Sequence, residues 1–289
     1  MTLSPVASLP AELPPLGVMA EADRARLKTA VGYLEHRTLA TRLSAMLGQQ
    51  MNRLGKLLPA QVTEVVDSAA EKAIRMGMAA AARSIGQRSS QDRRLWHKAA
   101  ATLSGAAGGA FGLASLPIEL PISTLVMLRS IMAIAKSEGE DLASPETIFA
   151  SLQVFALGAG EDAARALDPH GYSESGYFAM RAVLAQSVSE AARFVVERGV
   201  TEETAPVILR FVSQVASRFG VVVSQKVAAQ AVPLIGAAGG AAINYAFIDH
   251  FQTVARGHFT IRRLERIYGP TLVRAEYDAA LRELAPPQD

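Results

Sequence analysis

Residues 122–141 read ISTLVMLRSIMAIAKSEGED, and this stretch decides the fold class. Arg129 is the only charged side chain before Lys136, so the segment is apolar on nearly every face. The pattern predicts a helix closed by Gly139 at the C′ position. A helix without a polar face is buried on several sides or lies in lipid.

Working outward, Ser144-Pro145-Glu146 supplies an N-cap, a proline at N1 and an acid in the first turn. The helix it starts runs to about Asp168, with a break at Gly158–Gly160. Amphipathic helices follow near 174–198 and 202–226, separated at Gly199. A long helix then reaches Gly269, and Pro270 opens a short final one. Upstream, Leu27, Val31, Leu34, Leu39, Leu43 and Leu47 mark a helical stripe over 20–48. Val62, Val65, Val66, Ala69, Ala73, Met76 and Ala80 mark another over 60–86. A further segment starts near Asp92 and passes Trp96. No strand pair with hairpin signals occurs. The expectation is an all-α chain: one bundle of about eight or nine helices over 20–289, behind a disordered N-terminal arm at 1–19. That arm holds four prolines in its MTLSPVASLPAELPPLGVMA stretch and no basic n-region. It does not read as a signal peptide, and the chain is expected in the cytoplasm.

Composition supports helices and narrows the chemistry. Half of the 289 residues are hydrophobic, 19% are charged, aromatics are 6% and cysteine is absent. Disulfides, thiolate catalysis and cysteine zinc sites are therefore excluded. The net charge of +2 is uneven: residues 36–98 hold eleven Lys/Arg against four Asp/Glu (+7), and 99–170 hold three against eight (−5). The basic block fits either an anionic surface or a solvated face pairing with the acidic middle. Trp96 is its only aromatic, with none interleaved among the basic residues, so nucleic acid is not expected as a partner. Attraction to anionic lipid headgroups fits better.

The hexapeptide GAAGGA occurs at 105–110 and again at 236–241. Glycine inside a helix costs roughly 1 kcal/mol relative to alanine. Gly105, Gly108, Gly109, Gly236, Gly239 and Gly240 are therefore expected to be packing positions, where backbones approach closely. The copies lie in uncharged runs, Ala99–Ile118 and Val227–Ile248, long enough to span a bilayer but built mainly of Ala and Gly. An offset of 131 residues carries Ile118 onto Asp249 and Glu119 onto His250. If the halves are pseudo-symmetric, these polar groups face one another across an axis.

Two long blocks resemble the EcsC family: IELPISTLVMLRSIMAIAKSEGEDLASPETIFASLQVFALG and VPLIGAAGGAAINYAFIDHFQTVARGHFTIRRLERIYG. The resemblance is carried by Glu119-Leu120-Pro121, Gly139-Glu140-Asp141, Phe155-Ala156-Leu157-Gly158, Ile235-Gly236, Asn244 and the Phe247–Phe259 helix. It covers roughly residues 60–270. The phenylalanine of the family's Gly-Phe-Asp variant is missing here. The family takes its name from a bacterial operon that also encodes an ABC transporter ATPase and permease, and the resemblance implies no reaction. The chain has no GxxxxGK[ST] motif, so it is not such an ATPase, and it lacks a permease's repeated Leu-rich spans.

Five residues form the candidate polar cluster: Glu119, Arg129, Asp249, His250 and His258. Arg129, alone on an apolar helix, is expected to be buried and paired with a carboxylate from Glu119, Glu140, Asp141, Glu161, Asp162 or Asp249. His258 falls on the stripe of Phe247, Phe251, Val254, Ile261 and Leu264, as a core histidine or a ligand. The expected function is that of a non-enzymatic EcsC-like accessory protein. It would act at the cytoplasmic face of the membrane, in peripheral contact with an anionic surface, or with a membrane transporter, and use no cofactor. The alternative is a hydrolase or metal-dependent enzyme using Glu119 with Asp249/His250, although neither HExxH nor GxSxG is present. Whether a metal binds is left open.

Overall fold

The structure is a computed structural model. It describes residues 18–35, 38–48, 58–86, 116–160, 175–198, 205–231 and 237–284, with the backbone alone at 82–86 and 237–238. Nine helices occur among the described residues, and no strand: α1 (Glu21–Glu35), α2 (Leu39–Leu47), α3 (Ala60–Gly86), α4 (Leu116–Ser137), α5 (Pro145–Leu157), α6 (Gly176–Arg198), α7 (Pro206–Gln230), α8 (Ala237–Tyr268) and α9 (Pro270–Leu284). They pack into one bundle, as the apolar periodicity predicts.

The core forms around α5, in which every residue from Thr147 to Leu157 is buried. Its sequence has no polar face to offer water; Ser151 satisfies its hydroxyl by donating to the Thr147 carbonyl at 2.7 Å. Phe149 meets Phe211 of α7 edge-on at 5.0 Å. Phe155 meets Phe219 of α7 at 5.0 Å and Phe251 of α8 at 5.2 Å. Offset and edge-on contacts of this kind add to the area the rings bury. The α8 stripe read from the sequence points into this core: Phe247, Phe251, His258, Ile261 and Leu264 are all fully buried.

The helix read from 122–141 starts earlier than the sequence suggests, at Leu116, and takes both prolines of LPIELP inside. Pro117 sits in the first turn, where no N–H partner is needed; Pro121 forgoes one backbone bond. The end is as expected. Gly139 has φ +82, Glu140 N–H donates to the Ala135 carbonyl at 3.0 Å and Gly139 N–H to that of Lys136 at 3.1 Å, the two bonds of a Schellman motif.

Other expectations need correction. The 20–48 helix is two, broken before Thr38, whose hydroxyl accepts from the Thr41 N–H to cap α2. On α3 the inward line runs through Val66, Ala69, Ala70, Ala73, Ile74 and Met78, while Val65 and Met76 face outward. The arm at 1–19 lies outside the described residues up to position 17, but Met19 is buried in the core. Ala20 N–H donates to the Tyr268 hydroxyl at 3.3 Å.

Gly105, Gly108, Gly109 and Gly236 lie outside the described residues. Gly239 and Gly240 are half-buried on α8, and a Cβ at Gly240 would meet nothing within 4 Å. Close approach is found at other glycines. A Cβ at Gly158 would fall 2.5 Å from the Phe251 ring, at Gly220 2.8 Å from Asp67, and at Gly257 2.7 Å from Leu34.

Candidate functional site

Of the five residues of the sequence-derived cluster, Glu119, Asp249, His250 and His258 each engage a different partner. Glu119, in the first turns of α4, bonds Lys226 near the end of α7 at 2.9 Å. The Lys226 side chain is only 1% exposed, and its ammonium lies 4.9 Å from the centroid of the Phe247 ring. A charge so buried is tolerated because a carboxylate and an aromatic face replace its water. Asp249 pairs instead with Arg42 of α2, at 2.6 Å. His250 is buried, and its Nε2–H donates to the Gly158 carbonyl at 2.8 Å, which ties the end of α5 to α8. The three groups of the enzymatic alternative, Glu119, Asp249 and His250, serve three separate contacts. Among the described residues no group of three or more His, Cys, Asp or Glu is arranged to hold a metal ion.

Arg129 is the clearest correction. It is exposed, not buried. A lone charge in an apolar run does not mark a buried face when the run itself has an outward side. Of the expected carboxylate partners, Glu119 serves Lys226 and Asp249 serves Arg42. Glu140 is held by α8 through Arg262 at 2.9 and 3.0 Å and through Arg266. Burial alone would raise the Glu140 carboxyl, but these two guanidinium groups outweigh it and hold the group below the ordinary glutamate range.

His258 belongs to a second network, buried at His258 and Tyr177 and partly exposed at its rim, that the sequence did not reveal. Its Nδ1 lies 2.9 Å from the Tyr177 hydroxyl on α6. Arg181 Nη1 donates to that same oxygen at 3.3 Å, so the Tyr177 proton is directed at His258. His258 therefore carries its proton on Nε2, which finds no partner among the described residues. Arg181 is clamped on Glu265 of α8 by two 2.8 Å bonds. Tyr277 of α9 lies parallel to Tyr177, with centroids 5.8 Å apart, and donates to Glu35 of α1 at 2.7 Å. Ser175 donates to the same carboxylate oxygen at 2.6 Å. Burial, reinforced by Arg181 and Arg262, pushes His258 well below the usual histidine range. Burial pushes the Tyr177 hydroxyl up to about 12. This neutral imidazole and protonated phenol join α6 to α8 and have no opening to substrate: the arrangement holds helices together.

One surface depression, of about 340 Å³, lies between α1, the end of α4 and α8, lined by Arg26, Thr29, Ala30, Tyr33, Ser137, Glu138, Thr260 and Arg263. Its guanidinium groups are engaged, Arg26 with Asp23 at 3.0 Å and Arg263 with Asp23 and Glu138 at 3.2 Å each. None of the residues selected from the sequence lines it.

The outward side of α4 is the remaining feature. Ile118 is 66% exposed, Ile122, Leu125 and Val126 are half-buried, and Arg129, Ala133 and Lys136 are exposed. The helical period places them on one side. Two described helices, α4 and α7, are long and apolar enough to cross a membrane by length and composition, and about half of each such window is buried within the bundle. Of the basic block, Arg42 is spent on Asp249 and Arg75 on Glu71 one turn away; Lys72 is exposed, and much of the remainder lies outside the described residues.

These features define an all-helical bundle with an aromatic core, internal ion pairs and one outward apolar side. The chain belongs to the EcsC protein family, whose profile matches residues 32–264. No curated protein and no solved structure matches it.

Proposed function

We propose that the protein is a non-enzymatic accessory protein acting at the cytoplasmic face of the membrane, alone or beside a membrane transporter, through peripheral contact with anionic lipid. The observation that carries this reading is the outward side of α4, where four apolar residues from Ile118 to Val126 give way to Arg129 and Lys136. Apolar area for the acyl boundary and cations for the headgroups are what an interfacial helix needs. The enzymatic alternative has less behind it, because Glu119, Asp249 and His250 each engage a different partner.

The test is fractionation of cells that make the native protein. The reading expects the chain in the membrane fraction and its release by a salt wash, since headgroup attraction is screened over about 10 Å at 0.1 M salt. Retention after the wash would point to an integral protein. Recovery in the cytosol at every ionic strength would remove the reading.

A further inference from the structure

We propose that one end of the bundle, where α4 begins and α7 meets α8, enters the bilayer first, leaving Arg129 of α4 at headgroup depth. The proposal rests on the membrane reading above and adds the orientation.

The contacts place this end. Ile118 adjoins Glu119; Glu119 bonds Lys226 at 2.9 Å; Lys226 lies over the Phe247 ring at 4.9 Å; and Tyr245 is two residues before Phe247. Phe247 is fully buried, and a two-residue step on a helix turns a side chain roughly to the opposite side. Tyr245 accordingly points outward and is 69% exposed. With Ile118 it gives this end the two most exposed large hydrophobic side chains of the described residues. Tyrosine is a residue of the membrane–water boundary.

Among the described residues the charges at this end are paired. Glu119 and Lys226 neutralise each other. The described residues from Val227 to Ala231 and from Ala237 to Ile248 include no Asp, Glu, Lys or Arg. The next charge on α8, Asp249, is bridged to Arg42 at 2.6 Å. Along α4 the next is Arg129, eleven residues beyond Ile118. At a rise of about 1.5 Å per residue these are roughly 16 Å apart, close to the half-thickness of a bilayer's hydrocarbon core. An apolar tip dipping into one leaflet would hold Arg129 level with anionic headgroups, with Lys136 about 10 Å farther out along the helix. That complementarity selects a bilayer over a protein groove as the partner.

The chain has no cysteine, so single cysteines at exposed positions accept a nitrobenzoxadiazole probe without competing sites. Ile118→Cys and Tyr245→Cys report the tip, and Ser137→Cys reports the other end of α4. Binding of the unlabelled chain to phosphatidylcholine/phosphatidylserine vesicles is measured separately by co-sedimentation. The expected result is binding, with blue-shifted emission and quenching by acyl-chain nitroxide lipid at 118 and 245 but not at 137. Ile118→Glu should weaken partitioning on the order of tenfold or more. Val196→Glu should leave it unchanged: Val196 is equally exposed at 65% but lies where α6 leads toward the start of α7, far from Lys226. Circular dichroism of each variant verifies that the helices form. Binding with the 118 and 245 probes still in water overturns the orientation and leaves the membrane reading standing. Failure of the unlabelled chain to bind overturns both.

Discussion

Replacing Gly158 with alanine adds one methyl group where α5 ends against α8. The backbone there has φ −64 and ψ −13, an ordinary right-handed conformation. Alanine adopts it freely and would by itself stabilise the fold by about 0.4–1 kcal/mol through the unfolded chain. The surroundings oppose this. The new Cβ would lie 2.5 Å from Cε1 and 3.0 Å from Cδ1 of Phe251, and 3.1 Å from His250 Nε2. Phe251 is fully buried and held by Phe155 at 5.2 Å, Phe219 at 5.5 Å and Phe247 at 5.2 Å, so its ring has nowhere to retreat. Overpacking costs about 1–3 kcal/mol. Backbone movement that relieves it also lengthens the 2.8 Å bond from His250, whose loss in the interior costs about 1–3 kcal/mol more. The net expectation for Gly158→Ala is a destabilisation of about 1–4 kcal/mol. Gly240→Ala is the matched control: among the described residues no atom beyond its own helix backbone lies within 4 Å of its Cβ position, so it should stabilise by up to about 1 kcal/mol. Urea unfolding followed by circular dichroism measures both. Equal or greater stability for Gly158→Ala would refute the packing argument.

Three other outcomes follow from the polar contacts. Because burial keeps His258 neutral in the fold but the unfolded side chain takes a proton near the ordinary histidine pKa of about 6.5, stability should fall as pH drops below that value, by up to about 1.4 kcal/mol per unit. The measurement is stability against pH between 7 and 5: His258→Gln should flatten the slope relative to wild type, and an unchanged slope would count against the neutral, buried imidazole. Glu119→Gln leaves the Lys226 ammonium, 1% exposed, without its carboxylate and should cost about 3–5 kcal/mol, most of it recovered in Glu119→Gln/Lys226→Met; thermal melts of the single and double variants test this. Arg129→Met, at an exposed position, should change stability by less than about 0.5 kcal/mol yet weaken binding to anionic vesicles. A large loss of melting temperature would instead assign Arg129 a structural role.

Local features of the sequence foretold much of this architecture. The α8 stripe from Phe247 to Leu264 and the Gly139 cap depend on neighbours a few residues apart, and both were legible. The pairings were not. Glu119 and Lys226 are 107 residues apart, and Tyr177 and His258 are 81 apart, and nothing in local spacing joins them. A faint signal existed: Glu119 is the first charge after one uncharged run and Lys226 the last before the other. Arg129 was misjudged because counting charges along a helix does not say which side faces out; Ile118 and Arg129 share an exposed side. Most of the GAAGGA glycines lie outside the described residues; the close approaches seen are at Gly158, Gly160, Gly220 and Gly257, single glycines whose partners come from other helices and which no repetition marks.

The central claim, peripheral contact with an anionic membrane, is tested most directly by flotation of the purified full chain with vesicles. Phosphatidylcholine/phosphatidylserine and phosphatidylcholine alone are compared at low and high salt. The account predicts that the protein floats with the anionic vesicles at low salt, much less with the neutral ones, and returns to the dense fraction as salt rises and screens the headgroups. Protein that stays in the dense fraction with every vesicle, at every salt concentration, would contradict it.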